Sequence, residues 1–250
     1  MTHCKGNRAL LRLCVVLVAG VMLSAPTVGQ VKPVKPTGKQ PVKPTKQATG
    51  RKLVPLKIKL PKPAFKGTPK HVPPGTNLEK PRKGPRPPLM VPKGVRLISK
   101  GAKVTSSDSE PIIGELAMVT DGDKEAEEGS YVELGPGKQW VQIDLGRPYR
   151  IYAIVVWHAH ANAIVYRDVV VQLADDRDFL KNVRTVFNND HDNSSGLGIG
   201  KDKEYWETYE GKLISVDGQV ARYVRLYSNG STSDELNHYT EVEVYGQPVK

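Results

Sequence analysis

Cysteine and long apolar runs are scarce in this chain of 250 residues. Its two cysteines, Cys4 and Cys14, both lie within the first 14 residues, so the remainder must be held by its own core or by a bound metal. The apolar run at 13–25 is shorter than the roughly 20 residues that span a membrane, and it follows three cations. We therefore predict a signal peptide over 1–29 and secretion, with an uncleaved N-terminal membrane anchor as the alternative.

Acidic residues are almost absent from residues 31–100, which contain 19 lysines and arginines and the single acid Glu79. Of the 20 prolines, 15 lie between 31 and 92, and proline at this density excludes helices and interior strands. We predict a disordered, extended basic tether over 30–93. Its charge is suited to anionic polymers, although it could equally serve as a soluble spacer.

Residues 94–248 have the composition of a folded domain. From residue 101 onward the chain has 15 lysines and arginines against 25 acids, so specific nucleic-acid recognition is not expected. Short β-branched and aromatic stretches at 140–145, 150–157, 165–174, 221–227 and 239–246 are separated by turn residues, including 146–148. This pattern predicts an all-β fold, an antiparallel jelly-roll β-sandwich of about eight strands. We also expect this acidic domain to be clasped by the basic tether at low salt.

Five of these segments resemble, in order, the discoidin or coagulation-factor type C family. They are AMVTDGDK at 117–124, WVQIDLG at 140–146, IYAIVVW at 151–157, ARYVRLYSNGS at 221–231 and TEVEVYG at 240–246. The resemblance implies a galactose-binding-like jelly roll that acts as a secreted, non-enzymatic recognition module. Such modules most often bind carbohydrate, sometimes protein or phospholipid, and commonly hold a structural calcium.

A calcium site is expected at Asp121 and Asp123, whose carboxylates flank a glycine that lets the loop turn. The family pattern adds Glu241 and the carbonyl of Thr240. Where the family often has a threonine, this chain has Ala126, so one hydroxyl ligand is missing. The alternative is an ordinary polar turn at Asp121 and Asp123, with Glu241 a solvated edge residue like Glu243.

Candidate carbohydrate-binding residues lie in three loops rich in asparagine, aspartate and histidine, at 158–162, 188–193 and 231–239. Side chains of these types bind sugar hydroxyl groups, and an aromatic ring covers the apolar face of a sugar. The candidates are His158, His160, Asn189, His191, His238 and Tyr239. Tyr205, Trp206 and Tyr209 are a possible aromatic platform or part of the core.

A competing hypothesis assigns the four histidines to a zinc or copper site completed by Asp190 or Asp192, which would permit hydrolysis. Asp190, Asp192 and Ser194 also resemble a calcium loop, but the glycine at 196 comes one residue late. No nucleophile motif supports covalent catalysis.

The sequence therefore favours a secreted, monomeric, non-catalytic lectin-like module that contains structural calcium and binds a glycan or glycoprotein. The first alternative is an envelope or adhesion protein that attaches to polyanions through the tether. The second is a histidine-based metalloenzyme.

Overall fold

The computed structural model describes residues 52–249; the predicted signal peptide and residues 30–51 of the predicted tether lie outside this range. Eleven strands and one short 3-10 helix, η1, form within it. They are β1 (Leu53–Pro55), β2 (Met90–Pro92), β3 (Arg96–Leu97), β4 (Lys103–Ser106), η1 (Leu116–Thr120), β5 (Val132–Leu134), β6 (Gln139–Trp157), β7 (Val170–Ala174), β8 (Arg184–Asn188), β9 (Lys212–Ser228), β10 (Asn237–Tyr239) and β11 (Glu241–Pro248).

A seven-stranded sheet forms the main layer, in the order β3, β11, β6, β9, β7 and β8, with β4 also paired to β6. All its pairings are antiparallel, and β5 and β10 form a second, two-stranded sheet. Between the layers lies a core of alternating apolar residues, such as Val141 and Ile143 from β6 and Leu134 from β5, all fully buried. The predicted all-β, antiparallel sandwich is confirmed.

One predicted turn is instead part of a strand. Residues 146–148 lie within β6, which is 19 residues long. Pairing with β9 is interrupted between Asp144 and Tyr149, and Gly146 takes a φ of 78°. A bulge of this kind lets the strand bend without leaving the sheet, because glycine adopts the left-handed region at low cost. The N-terminal half of β6 thus pairs with β4 and its C-terminal half with β11.

Residues 52–93 differ from the predicted extended, solvated tether, because in the structure they pack against the sandwich. β1 and β2 pair with each other, and Leu56, Ile58 and Leu89 pack on a second core cluster around Trp157 and Tyr245. These apolar residues lie between prolines that prevent regular structure but leave side chains free to pack. The high proline content therefore excludes a helix in this segment but does not prevent the segment from packing against the sandwich.

Ionic contacts of both polarities add to this docking, and one of them pairs a cation of the segment with an acid of the domain, as expected. Arg82 forms an ion pair with Glu210, and Lys212 Nζ lies 2.7 Å from Glu79 Oε2. Arg86 Nη1 donates to the carbonyl of Gly211 at 2.8 Å. We call residues 52–93 the docked segment.

Within residues 52–249, no helix has both the length and the apolar character needed to cross a bilayer.

Gly211 provides a test of the packing around Trp157. Its φ is +61°, and an added Cβ would lie 2.6 Å from Trp157 Cε2, whereas Gly196 (φ +72°) has nothing within 4 Å of that position. We expect Gly211→Ala to lower the free energy of unfolding by about 3 kcal/mol, from backbone strain and overpacking together. The control Gly196→Ala should lose about 1 kcal/mol, from strain alone. Equal losses in denaturant titrations would contradict a tight contact with the indole.

Candidate functional site

A cleft of about 350 Å³ opens where the loops after η1, β6 and β9 meet. Two of the three loops predicted to bind carbohydrate, 158–162 and 231–239, contribute to it, and the loop at 188–193 does not. We call it the loop cleft. It is lined by Glu125, Ala126, Glu127, Glu128, Tyr131, Ala159, His160, Ala161, Asn162, Ile164, Tyr166, Asp234, His238 and Thr240.

His238 is held rigidly at the base of this cleft by β10, which pairs with β5. Its Nε2 lies 3.1 Å from Glu133 Oε2, and its Nδ1 lies 2.9 Å from the hydroxyl of Tyr166. A carboxylate only accepts, so Nε2–H donates to Glu133, and in the neutral ring Nδ1 then accepts from the Tyr166 hydroxyl. Burial raises the pKa of Tyr166 well above its ordinary value, which keeps that hydroxyl protonated. Tyr131 meets the His238 ring edge-on, with a centroid separation of 5.2 Å.

His158 and His160 lie deeper than the sequence suggests. His158 is fully buried, stacks on Tyr166 at 4.3 Å between ring centroids, and places Nδ1 2.6 Å from Glu207 Oε1. His160 borders the cleft but is only 1% exposed, and its Nε2 donates to the carbonyl of Lys124 at 3.0 Å. Both rings therefore form interior hydrogen bonds that hold the loop at 158–162 in place.

Asn189 and Tyr239 are also buried. Asn189 Oδ1 accepts from the Val169 N–H at 2.7 Å, and the Tyr239 hydroxyl lies 3.0 Å from Ser228 Oγ. His158, His160, Asn189 and Tyr239 are thus all buried, and only His160 is among the lining residues of the loop cleft, so ligand contact by these four side chains stays a prediction. His191 is exposed but lies outside the loop cleft.

The predicted calcium residues lie on neighbouring elements. η1 leads into Asp121, and the N–H of Gly122 donates to Glu241 Oε2 at 3.0 Å. Asp121 Oδ1 accepts from the Asp123 N–H at 2.8 Å, and Asp123 Oδ1 accepts from the Glu125 N–H at 3.0 Å. These two carboxylates shape the loop, whereas Glu241 reaches it from β11.

The Thr240 hydroxyl faces the neighbouring loop and donates to the carbonyl of His158 at 3.2 Å. The Thr240 carbonyl, which is the predicted calcium ligand, takes no part in this hydrogen bond. The bond ties the start of β11 to the first of the predicted carbohydrate-binding loops.

Glu241 fits a cation better than either aspartate does. It is fully buried, its Oε1 has no hydrogen-bond partner, and burial raises its pKa to about 8. An unpaired buried carboxylate is destabilising, and a bound cation would remove that penalty. Among residues 52–249, however, Asp121, Asp123 and Glu241 do not form a group with oxygens mutually within 4.8 Å.

Lys124, Glu243 and Tyr245 form a buried ionic cluster that sequence reasoning missed. Lys124 pairs with Glu243 and lies over the Trp157 ring, 4.8 Å from its centroid, while the Tyr245 hydroxyl donates to Glu243 at 2.5 Å. Strand alternation assigned Glu243 to a solvated face, but the docked segment covers that face and leaves Glu243 3% exposed. The feature of the sequence that indicates this burial is the alternation of apolar residues with lysines at 56–59.

Asp168, Asp190 and Asp192 form the one three-carboxylate group found within residues 52–249, with oxygens within 4.8 Å. Its oxygens already accept hydrogen bonds, for example from Ser194 Oγ and Asn229 Nδ2, each 2.7 Å from Asp168 Oδ2. No histidine belongs to this group. The geometry of the described residues thus does not assemble the histidine-based metal site.

The F5/8 type C domain model matches residues 102–242, more than half of the chain. The chain belongs to the F5/8 type C family. None of the curated proteins matches it.

Solved structures similar to the F5/8 type C domain share little sequence with it. A family 89 glycoside hydrolase from Clostridium perfringens is 18% identical, with a TM-score of 0.46 over 61% of this chain. This chain spans only 15% of that enzyme. A chitosan-binding module from Paenibacillus sp. IK-5 is 19% identical, with a TM-score of 0.41 over 60% of this chain and 99% of the module. A fucose-binding module from Streptococcus pneumoniae is 15% identical, with a TM-score of 0.44 over 61% of this chain and 99% of the module.

The raised pKa of Glu241 predicts a pH-dependent stability. The folded state holds a proton between pH 4.5 and about 8 that the unfolded chain releases, so stability falls as pH rises through this window. With divalent cations chelated, we expect the melting temperature of the native protein to fall across the window more steeply than that of Glu241→Gln. Parallel curves for the two proteins would show that Glu241 is not held protonated.

Proposed function

We propose that the F5/8 type C domain is a secreted, non-catalytic module that binds a saccharide in the loop cleft. The observation that carries the proposal is the convergence there of the half-buried Tyr131 ring, the exposed Asn162 amide and the carboxylates of Glu128 and Asp234. An aromatic ring beside amide and carboxylate groups is suited to a sugar, which has apolar C–H faces and hydroxyl edges. The predicted signal peptide, on which secretion depends, lies outside the described residues.

The charge of the loop cleft favours a neutral or amino-bearing sugar. Four carboxylates line it, from Glu125, Glu127, Glu128 and Asp234, and no lysine or arginine is among its lining residues. Acidic saccharides would be repelled, whereas hydroxyl groups and ammonium groups can donate to these carboxylates. At about 350 Å³ the cleft is near the small end of ligand pockets, so we propose that it holds one or two sugar rings.

The rigidity of the cleft also supports a binding role. The ring of His238 is fixed by both nitrogens, and His158 stacks beneath Tyr166. Side chains fixed in this way lose little conformational freedom on binding, which favours affinity. We propose no catalytic step, because the buried His158 and Glu207 have no exposed surface with which to reach a substrate.

Binding to an array of neutral and amino-bearing glycans tests this function. We expect Tyr131→Ala to weaken the best ligand about tenfold, because it removes the aromatic contact. Glu128→Gln should weaken amino-bearing glycans about twofold to fivefold and neutral ones less, because the amide oxygen still accepts from hydroxyl groups. Glu110→Gln makes the same change at an exposed acid outside the cleft and should have no effect. Failure of the native protein to bind any glycan would refute the proposal.

We further propose that calcium is held by Glu241, Asp121 and Asp123, with the carbonyl of Thr240. The support is the unpartnered buried oxygen of Glu241, together with the family to which the chain belongs. Bound calcium would supply positive charge that offsets the repulsion between these carboxylates. It would also fix the loop from Asp121 to Glu125, whose last residue is the first of those that line the loop cleft on this side.

Chelation provides the test for calcium. Saturating calcium should raise the melting temperature by about 5 °C relative to the chelated protein. Asp121→Asn should abolish that difference, whereas Asp178→Asn, at an exposed site remote from this loop, should preserve it. An unchanged melting temperature with calcium would argue that the Asp121–Asp123 loop is an ordinary polar turn.

A second candidate function is attachment to anionic polymers through the basic segment. The observation that favours it is that several cations of the docked segment remain exposed, among them Lys57 and Lys59. We propose this as an addition to saccharide binding in the loop cleft, since the two surfaces have opposite charge.

A further inference from the structure

A second cleft, of about 760 Å³, lies between the docked segment and the edge of the main sheet. It is lined by five cationic side chains and only one carboxylate, whereas the loop cleft is acidic. We call it the cationic cleft. The charged residues are Lys57, Lys59, Arg96, Lys100, Lys124 and Glu243.

Four of the five cations are free to bind a ligand. Lys124 is buried and paired with Glu243, so these two neutralise each other. Lys57, Lys59, Arg96 and Lys100 are exposed, and none makes a side-chain hydrogen bond or ion pair with any residue in 52–249. Other cations of the docked segment, such as Arg82, already have a partner on the domain. The cationic cleft therefore has uncompensated positive charge.

Apolar packing positions these cations on both sides of the cleft. On the docked segment, Leu56 and Ile58 pack on the core cluster around Trp157, so the intervening Lys57 and the following Lys59 face away from it. Across the cleft, Val95 and Leu97 pack on the same cluster, and Arg96 between them is exposed. Apolar residues that pack on the core thus alternate with exposed cations on both sides of the cleft.

The cleft also offers apolar surface. Its lining includes valines and leucines of β1, β2 and β3 and the residues beside them, such as Val91 and Leu97. Positive charge beside an apolar floor fits a ligand that has both anionic groups and C–H faces. An inorganic anion has no C–H face to contact the apolar lining. A purely apolar ligand is also unsuitable, because lysines interrupt the apolar area.

We propose that the cationic cleft binds an acidic saccharide through its carboxylate or sulfate groups. The proposal rests on the second candidate function and makes it specific, because it assigns polyanion binding to a structured site shared by the docked segment and the domain. The loop cleft and the cationic cleft then select saccharides of different charge on the same domain.

Calorimetric titration of the full chain with an oligogalacturonate and with a sulfated oligosaccharide tests the proposal. The cleft variant combines Lys57→Gln, Lys59→Gln, Arg96→Gln and Lys100→Gln. The matched control combines Lys62→Gln, Lys66→Gln, Lys70→Gln and Lys83→Gln, which remove the same charge from the docked segment outside the cleft. We expect the cleft variant to bind about tenfold more weakly, and the control to change by about twofold or less. The two probes distinguish carboxylate from sulfate recognition.

The outcomes separate this proposal from the proposed functions. If both variants bind the probes equally weakly, the proposal that the cationic cleft is the binding site would be overturned, and diffuse attachment through the basic segment would remain. No binding of either probe by the native chain would overturn both the cleft and polyanion attachment. Binding of a neutral glycan in the loop cleft should be the same in all three proteins, and their melting temperatures check that each remains folded.

Discussion

The packing of Trp157 is the constraint on which the other parts of this structure depend. Its indole N–H donates to the carbonyl of Tyr209 at 2.9 Å, its ring faces the ammonium of Lys124, and Gly211 lies against it. The residue ends β6 directly opposite Glu241 of β11. One side chain therefore connects the outer layer formed by the docked segment, the acidic loop after η1 and the strand that supplies Glu241. Large apolar side chains in such positions dominate local energetics because they bury the most surface.

Charge is distributed on this domain by layer. Acidic side chains surround the loop cleft, while the docked segment adds cations to the cationic cleft at the edge of the main sheet. Glu243 can be buried between these regions because it pairs with Lys124 and accepts a hydrogen bond from Tyr245. A buried ion pair of this kind contributes little net stability, but loss of either partner is strongly destabilising because it leaves the other charge buried and unpaired. If both clefts bind saccharides as proposed, their opposite charge would exclude the wrong ligand from each.

The strands and the family could be predicted from the sequence, whereas the exposure of the polar residues could not. Val141 and Ile143 alternate with polar neighbours, and that pattern depends only on local geometry. His158 comes directly after the last residue of β6, where nothing local shows whether a side chain turns inward. It is buried against Tyr166 of the following loop and against Glu207, which is distant in sequence. The apolar packing of the docked segment could not be predicted for a related reason. Its prolines exclude helices, but its packing depends on a surface formed by strands that come later in the chain.

The pairing of β1 with β2 has a mechanical consequence. Leu53 lies opposite Pro92, so the start of β1 and the end of β2 are side by side. A pulling force applied at residue 52 would therefore load the hydrogen bonds of this ribbon one after another, whereas the long pairing of β6 with β9 would have to yield over many residues together. The docked segment would peel away at low force, and the residues between β1 and β2 would lengthen the chain while the sandwich stayed folded. Under load, residues 52–93 would thus extend before the sandwich behind them unfolds.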